Sequence, residues 1–334
     1  MLYHHTMVCV YRSPQSSCRK EWNNLAKPFT PIAAAAEQAL PAIACMVGAV
    51  AFLTASDALI KSMSNTYPVG QLLFIRSIFV WPWIFLFAFR QGGLSALRIN
   101  RASGHGLRSI LVIASTFLFV TGLQFLPLAT AISAIFMGPL FITAMAPIIL
   151  SERVGWRRWL AVLVGFAGVL IMVRPGTDAF QWAILFPIAG AMCGGLRDLI
   201  TRRISQGEST LAMLGLTTIV IMLAGIATIP FGWSEFSSHD IGKFALSGAL
   251  VCGGHYLMID AFRRGEAGLV APFKYTSLLW AIVIGYIAFG ELPDQWTLAG
   301  AAIIISAGLY VFYRETQLRR VAAIAAKEQP ASIK

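Results

Sequence analysis

Arg76 lies about eight residues into the apolar run Val69–Phe89, roughly 12 Å along a helix, too deep for its head to reach water easily. A guanidinium there can clamp a carboxylate, phosphate or carbonyl through its planar fork. A structural ion pair with Asp57, near the same face of the membrane, accounts for it equally well. Asp57 and Asp198 each precede a base by four residues, Lys61 and Arg202, a spacing that places both members of each pair on one helix face. Structural pairing is the plainer reading of the two acids; gating or proton coupling is the functional one. His255 and Tyr256 sit inside another apolar run, with Asp260 one turn beyond Tyr256. The imidazole is a candidate proton acceptor and the phenol offers an aromatic face and a hydroxyl, although a lone histidine in a membrane often only bonds a neighbouring helix. Lys274 and Tyr275 come one turn inside the next run, where Lys274 can snorkel to the interface or pair with Asp260. Trp81 and Trp83 flank Pro82; they can stack on a planar ligand or face lipid, and the proline loosens its helix. Gln71, Ser115, Thr116 and Gln124 are ordinary hydrogen-bonding candidates.

The elements that position these residues follow from composition. Of 334 residues 57% are hydrophobic and 12% charged, about half the charge of a soluble domain. Ten runs are long enough to cross a bilayer: Leu40–Ile60, Val69–Phe89, Leu107–Leu126, Ala129–Leu150, Arg157–Val173, Phe180–Leu199, Ala212–Phe231, Ile241–Phe262, Leu269–Gly290 and Thr297–Tyr313. The fold class expected is an all-α integral membrane protein. With both termini cytoplasmic, 21 lysines and arginines fall on the inside and 3 (Lys61, Arg174, Lys243) on the outside. The net charge of +11 thus reflects topology; the basic residues form no stripe of the kind that binds nucleic acid. Residues 1–39 read as a disordered cytoplasmic extension without a signal-peptide core, and residues 314–334 as a cytoplasmic tail.

The chain also repeats itself. Asp57, Lys61 and Ser64 align with Asp198, Arg202 and Ser205 at a shift of 141, and Glu152 aligns with Glu291 at 139. Trp156, Ala161, Ala167 and Gly168 align with Trp296, Ala301, Ala307 and Gly308 at 140. Two units of five spans result, 40–173 and 180–313. Because five is odd, the second must enter the membrane inverted, an architecture recurrent in secondary transporters and present in some channels. Glu152 and Glu291 fall at helix junctions beside a tryptophan and read as interface caps. Ala161-xxx-Gly165 and Ala302-xxx-Ser306 are small-xxx-small spacings, suited to packing within the bundle or between the protomers of a homodimer.

Glu152 with the Trp156-to-Gly168 helix, its counterpart Phe289-Gly290-Glu291-Leu292-Pro293 with Trp296 and Gly308, the segment Ala271-Pro272-Phe273-Lys274-Tyr275, and Gly195 to Arg203 together resemble the drug/metabolite transporter superfamily, in its ten-helix form with two EamA domains. The resemblance covers roughly residues 40–315 and is nearest to bacterial riboflavin-type and S-adenosylmethionine-type uptake carriers. It implies alternating access in an inner membrane and a central cavity faced by the segment from Pro272 to Tyr275.

No G-x-x-x-x-G-K-[ST] loop, H-E-x-x-H or G-x-S-x-G motif occurs, and the five cysteines form no CxxC pair. The chain is therefore expected to be no enzyme, to use no cofactor or metal, and to draw energy from a gradient. The expected partners are a small-molecule solute and the bilayer. The substrate-site candidates are Arg76, His255, Tyr256, Lys274, Tyr275, Trp81 and Gln71, and the gating candidates are Asp57, Asp198 and Asp260. Riboflavin or a similar heteroaromatic metabolite is the first cargo; S-adenosylmethionine uptake and export of amino acids or drugs are alternatives. A membrane-embedded enzyme or a scaffold is the rival from another class.

Overall fold

A computed structural model of the protein describes residues 32–90, 93–99, 105–150, 155–174, 181–204, 209–264 and 270–328. Its helices are α1 (Ile32–Met63), α2 (Val69–Arg90), α3 (His105–Phe125), α4 (Leu128–Ile135), α5 (Gly138–Leu150), α6 (Trp156–Val173), α7 (Leu185–Ile204), α8 (Thr210–Ile226), α9 (Ile241–Arg264), α10 (Ser277–Phe289) and α11 (Gln295–Glu328). They make ten segments long and apolar enough to cross a membrane. Many large apolar side chains point outward, among them Phe89, Leu163, Leu170, Leu223 and Ile287, as a lipid-facing surface requires. α1 begins at Ile32, eight residues before the predicted span, and α11 runs on to Glu328. Hydroxyls buried in the bundle bond the carbonyl one turn back, as Ser77 does to Leu73 at 2.7 Å and Ser133 to Ala129 at 2.7 Å.

Two expected spans are not continuous helices. The fourth breaks at Phe136 and Met137, between α4 and α5. Pro139 causes this, because it has no N–H to give the carbonyl of Ile135, where α4 ends. The ninth opens as a tight 3-10 segment, Ala271–Thr276, with Pro272 in its first turn, and only then becomes α10. At the repeat shift of about 140 residues, the break at 136 and the change of helix type at 276 coincide. The two also touch: Phe136 meets Tyr275 edge to face, ring centroids 4.9 Å apart.

The packing obeys the same two-fold relation. α1 packs along α9 and, equivalently, α7 along α3; α10 lies on α1, and α4 and α5 lie on α7. α2 with α8, and α6 with α11, are pairs that map onto themselves. At the last crossing the backbones nearly meet. A Cβ on Gly168 would lie 2.9 Å from the Gly300 carbonyl, and one on Gly300 2.5 Å from the Gly168 carbonyl. Two inverted five-span units thus interlock, each lending helices to the other's surface.

Candidate functional site

The polar seam of the bundle begins with Asp57 on α1 and Arg76 on α2, two helices that both pack on α9. Asp57 and Arg76 are half-buried and lie within electrostatic reach, yet no N···O distance of 4.0 Å or less joins them, and neither makes a hydrogen bond to another described residue. The direct ion pair expected between Arg76 and Asp57 is therefore not formed; an acidic and a basic side chain lie near each other and unbonded. The expected Asp57–Lys61 pair does not form either. Lys61 turns to Glu291 at 2.8 Å and to the carbonyl of Leu126, and covers the Phe289 ring at 5.3 Å. Glu291 can satisfy it because its second oxygen accepts the Leu128 amide at 3.1 Å, capping α4 from the other repeat. Its predicted capping role is thus seen across the repeats; Glu152 lies outside the described residues.

Below Arg76 comes His255 on α9. Its Nδ1 lies 2.8 Å from the Val251 carbonyl one turn back; a carbonyl only accepts, so the proton sits on Nδ1 and Nε2 is left as an acceptor. His255 feels Arg76, Lys274 and Arg197 electrostatically, and Lys274 feels Asp198 and Arg197. The seam thus runs from Asp57 and Arg76 through His255 to Lys274, Arg197 and Asp198. Its members come from both repeats. Lys274 stands over Phe262 at 5.2 Å rather than pairing with Asp260, which is bonded to Arg264 at 2.6 Å and receives the Cys45 thiol at 3.7 Å. Asp198 is held by its neighbour Arg197 at 2.8 Å; the side chain of Arg202, its expected partner, lies outside the described residues.

Four candidates take other places. Gln71 is 2% exposed and spends both ends of its amide on the Ser234 backbone, at 2.8 and 2.9 Å, clipping α2 to the segment before α9. Tyr256 stacks flat on Phe87, 4.5 Å and 5° apart, beside a cleft lined by Leu211, Cys252, Asp260 and Arg263. Trp81 packs on Phe85, with Leu97 and Leu214 in the same apolar cluster, and α2 continues unbroken through Pro82. Tyr275 lies against Phe136, and its hydroxyl occupies the space that a Cβ on Gly308 would need. The sequence reading missed the end carrying Lys61. There, Tyr67 donates to Asp240 at 2.9 Å, Arg174 pairs with Asp294, and a cavity of about 220 Å³ opens among Pro127, Thr130, Gln181, Leu292 and Asp294. Proximity of Lys61 and Glu291 had no local signal, being 230 positions apart in the chain.

The EamA-like transporter family model matches residues 40–174 and again 181–313. The S-adenosylmethionine uptake transporter of Rickettsia prowazekii is 31% identical over 242 residues, spanning 72% of this chain and 81% of that protein. The riboflavin transporter of Rhizobium johnstonii is 30% identical over 247 residues, spanning 72% of this chain and 82% of its own. A crystal structure at 20% identity superposes with a TM-score of 0.56 over 80% of this chain and 97% of the other, a likeness of fold. Ten membrane-length helices in two interlocked five-span units, matched twice by one model, establish that this chain belongs to the EamA-like transporter family.

Proposed function

We propose that the protein is a gradient-driven carrier that brings a heteroaromatic metabolite into a bacterial cell by alternating access, with both termini in the cytoplasm. The observation that carries this reading is the seam of charge at mid-depth. Asp57 and Arg76 lie within electrostatic reach of each other, and Arg76 within that of His255; neither Asp57 nor Arg76 bonds a described residue. Ionised groups in a bilayer are costly and are kept where they meet a partner; a solute arriving between them supplies one. The broken spans four and nine bring non-α backbone to the contact between the repeats, which is where inverted-repeat carriers bind cargo. Charge bias places the Lys61 end outside. On this reading the outer end is the one joined across the repeats by the Lys61–Glu291 and Arg174–Asp294 pairs.

Riboflavin is the first cargo, on the reading that Arg76 donates to ring carbonyls, His255 Nε2 accepts a ring N–H, and Tyr275 and Phe136 lie along the aromatic face. Lys274 holds the cytoplasmic side, and Asp198 and Asp260 exchange partners as that side opens and closes. A second reading is favoured by the unengaged carboxylate of Asp57: a cationic group beside a carboxylate, as S-adenosylmethionine carries, would complement Asp57 and Arg76 together. Uptake of each radiolabelled compound into proteoliposomes decides between them. The flavin reading expects transport that survives Asp57→Asn. The sulfonium reading expects transport that Asp57→Asn and Arg76→Gln each abolish. Uptake of neither compound above empty vesicles would remove both cargoes.

A further inference from the structure

Away from this seam, the first turn of α3 holds two buried side chains that lack what buried polar groups need. His105 is 6% exposed and Arg108 is 7% exposed. Both ring nitrogens of His105 and Nη1 of Arg108 have no hydrogen-bond partner among the described residues. They are three residues apart on one helix and so share a face. Arg108 donates from Nε to Thr201 on α7 at 3.3 Å and from Nη2 to Thr217 on α8 at 3.1 Å. Those hydroxyls spend their own protons on the carbonyls of Arg197 at 2.7 Å and Met213 at 2.8 Å. They are neutral, so they orient the guanidinium without balancing its charge. No carboxylate of a described residue lies within 4.0 Å of Arg108, and the nearest felt electrostatically, Asp198, is held by Arg197 at 2.8 Å.

Among the described residues, Arg108 is buried between α3, α7 and α8 with only hydroxyl partners, where a buried charge ordinarily meets a counter-charge. The surroundings supply further attraction for an anion. His105 is the first residue of a 21-residue helix, whose opening amides have no intrahelical acceptor and carry the positive end of the helix dipole. That end is also where the membrane-length span His105–Phe125 begins. The repeat supplies a control. At a shift of 139 to 141 residues, the crossing of α3 and α7 corresponds to that of α9 and α1, where the positions of Arg108 and Arg197 are taken by Ser247 and Ser56. These two hydroxyls bond each other at 2.8 Å and leave nothing unsatisfied. The unpartnered polar atoms at the start of α3 are thus a departure from the two-fold pattern and not a by-product of it.

We infer that His105 and Arg108, braced by Thr201 and Thr217, form a phosphate-binding site between α3, α7 and α8, separate from the cargo seam. Its ligand is a phosphate monoester or diester, presented by a lipid headgroup or by a soluble anion. A phosphate there would take Nη1 of Arg108 and one His105 N–H, and would fasten α3 to the opposite repeat.

The test uses the full chain in nanodiscs of phosphatidylcholine alone, of phosphatidylcholine with phosphatidylglycerol, and of phosphatidylcholine with inorganic phosphate at matched ionic strength. Thermal unfolding is followed for the wild type, Arg108→Gln, His105→Gln and the surface-charge control Lys243→Gln. The site predicts a melting point raised by several degrees in the wild type and the control, a rise lost in Arg108→Gln and reduced in His105→Gln. A rise with phosphatidylglycerol alone assigns a lipid headgroup; a rise with inorganic phosphate assigns a soluble anion. If Arg108→Gln does not fold, His105→Gln carries the comparison, together with native mass spectrometry of phospholipid retained by the wild type. Equal shifts in all four proteins, or no shift in any, overturn the site.

Discussion

The two ends of the bundle are held together by different chemistry. At the Lys61 end the repeats are joined by two ion pairs, Lys61 to Glu291 and Arg174 to Asp294, and by the Tyr67 hydroxyl on the Asp240 carboxylate. At the Arg108 end, among the described residues, the ion pairs are local, Arg197 with Asp198 and Arg264 with Asp260, and the repeats meet through hydroxyl, thiol and carbonyl contacts. Among the described residues, ion pairs cross between the repeats at one end, whereas at the other a single charged group meets a hydroxyl or thiol, so the first end is the more firmly fastened. An inverted pair of units has no reason to favour either end by backbone alone; side chains make the choice.

The largest way to break that contrast is Glu291→Gln. It leaves Lys61, whose side chain is 10% exposed, without a counter-charge, a change expected to cost about 3 kcal/mol. Thiol labelling of Thr130→Cys in the adjoining cavity should rise at least about tenfold, the change in equilibrium that 1.4 kcal/mol produces. Restoration by the double variant Lys61→Gln/Glu291→Gln would show the tie to be electrostatic, and unchanged labelling would show that the end is closed by packing alone. Arg76→Gln comes next. Losing its charged hydrogen bonds to cargo should weaken binding by about 2 kcal/mol, roughly thirtyfold in Kd, while labelling at the Lys61 end stays as it was. Equal weakening by a change at Gln71, which is spent on Ser234, would count against a dedicated Arg76 subsite.

Two glycines then sharpen the comparison of the repeats. A Cβ on Gly254 would lie 3.0 Å from the Ala49 carbonyl and one on Gly190 would lie 3.1 Å from the Ser115 carbonyl, equivalent crossings with the glycine on opposite partners. Gly254→Ala and Gly190→Ala should each destabilise by about 1–2 kcal/mol, read from thermal unfolding in detergent. A large difference between them would show that the crossings are not equivalent. The smallest effect belongs to Arg174→Gln. Its partner Asp294 is 40% exposed, so the pair contributes no more than about 1 kcal/mol after solvent screening. Burial alone would raise the Asp294 carboxyl, but hydrogen bonds from Thr297 and the Arg174 cation outweigh it and hold the group below its ordinary 3.8. A depressed carboxyl stabilises the fold above its unfolded value and loses that contribution as pH falls through the folded one. The gap between wild type and Arg174→Gln should therefore close on acidification through that range, and a gap that widens there would contradict the assignment.

Span number and duplication were legible because both are written in runs of many residues. Apolar length marks each crossing, and the recurrence of Asp57 as Asp198 and Glu152 as Glu291 marks the copy. The breaks at Phe136 and Ala271 were not, since Pro139 and Pro272 signal a possible kink without saying whether neighbouring helices will satisfy the freed carbonyl. At the site, Arg76 and His255 could be picked out from burial in an apolar run. Their partners could not: the local spacing Asp57-to-Lys61 suggested a pair, and a residue 230 positions away, Glu291, took the lysine instead. Gln71 and Trp81 show the converse error, in which polarity or aromaticity marks a residue that the fold uses as a clip or as filler.

The crossing of Gly168 and Gly300 sets a mechanical limit on whatever the carrier does. With the two glycine backbones this close and Met172 and Ile303 packed beside them, α6 and α11 have little room to slide past one another. They are an axle. For the alternating access proposed above, that line is the natural pivot, and the free travel belongs to the helices farthest from it.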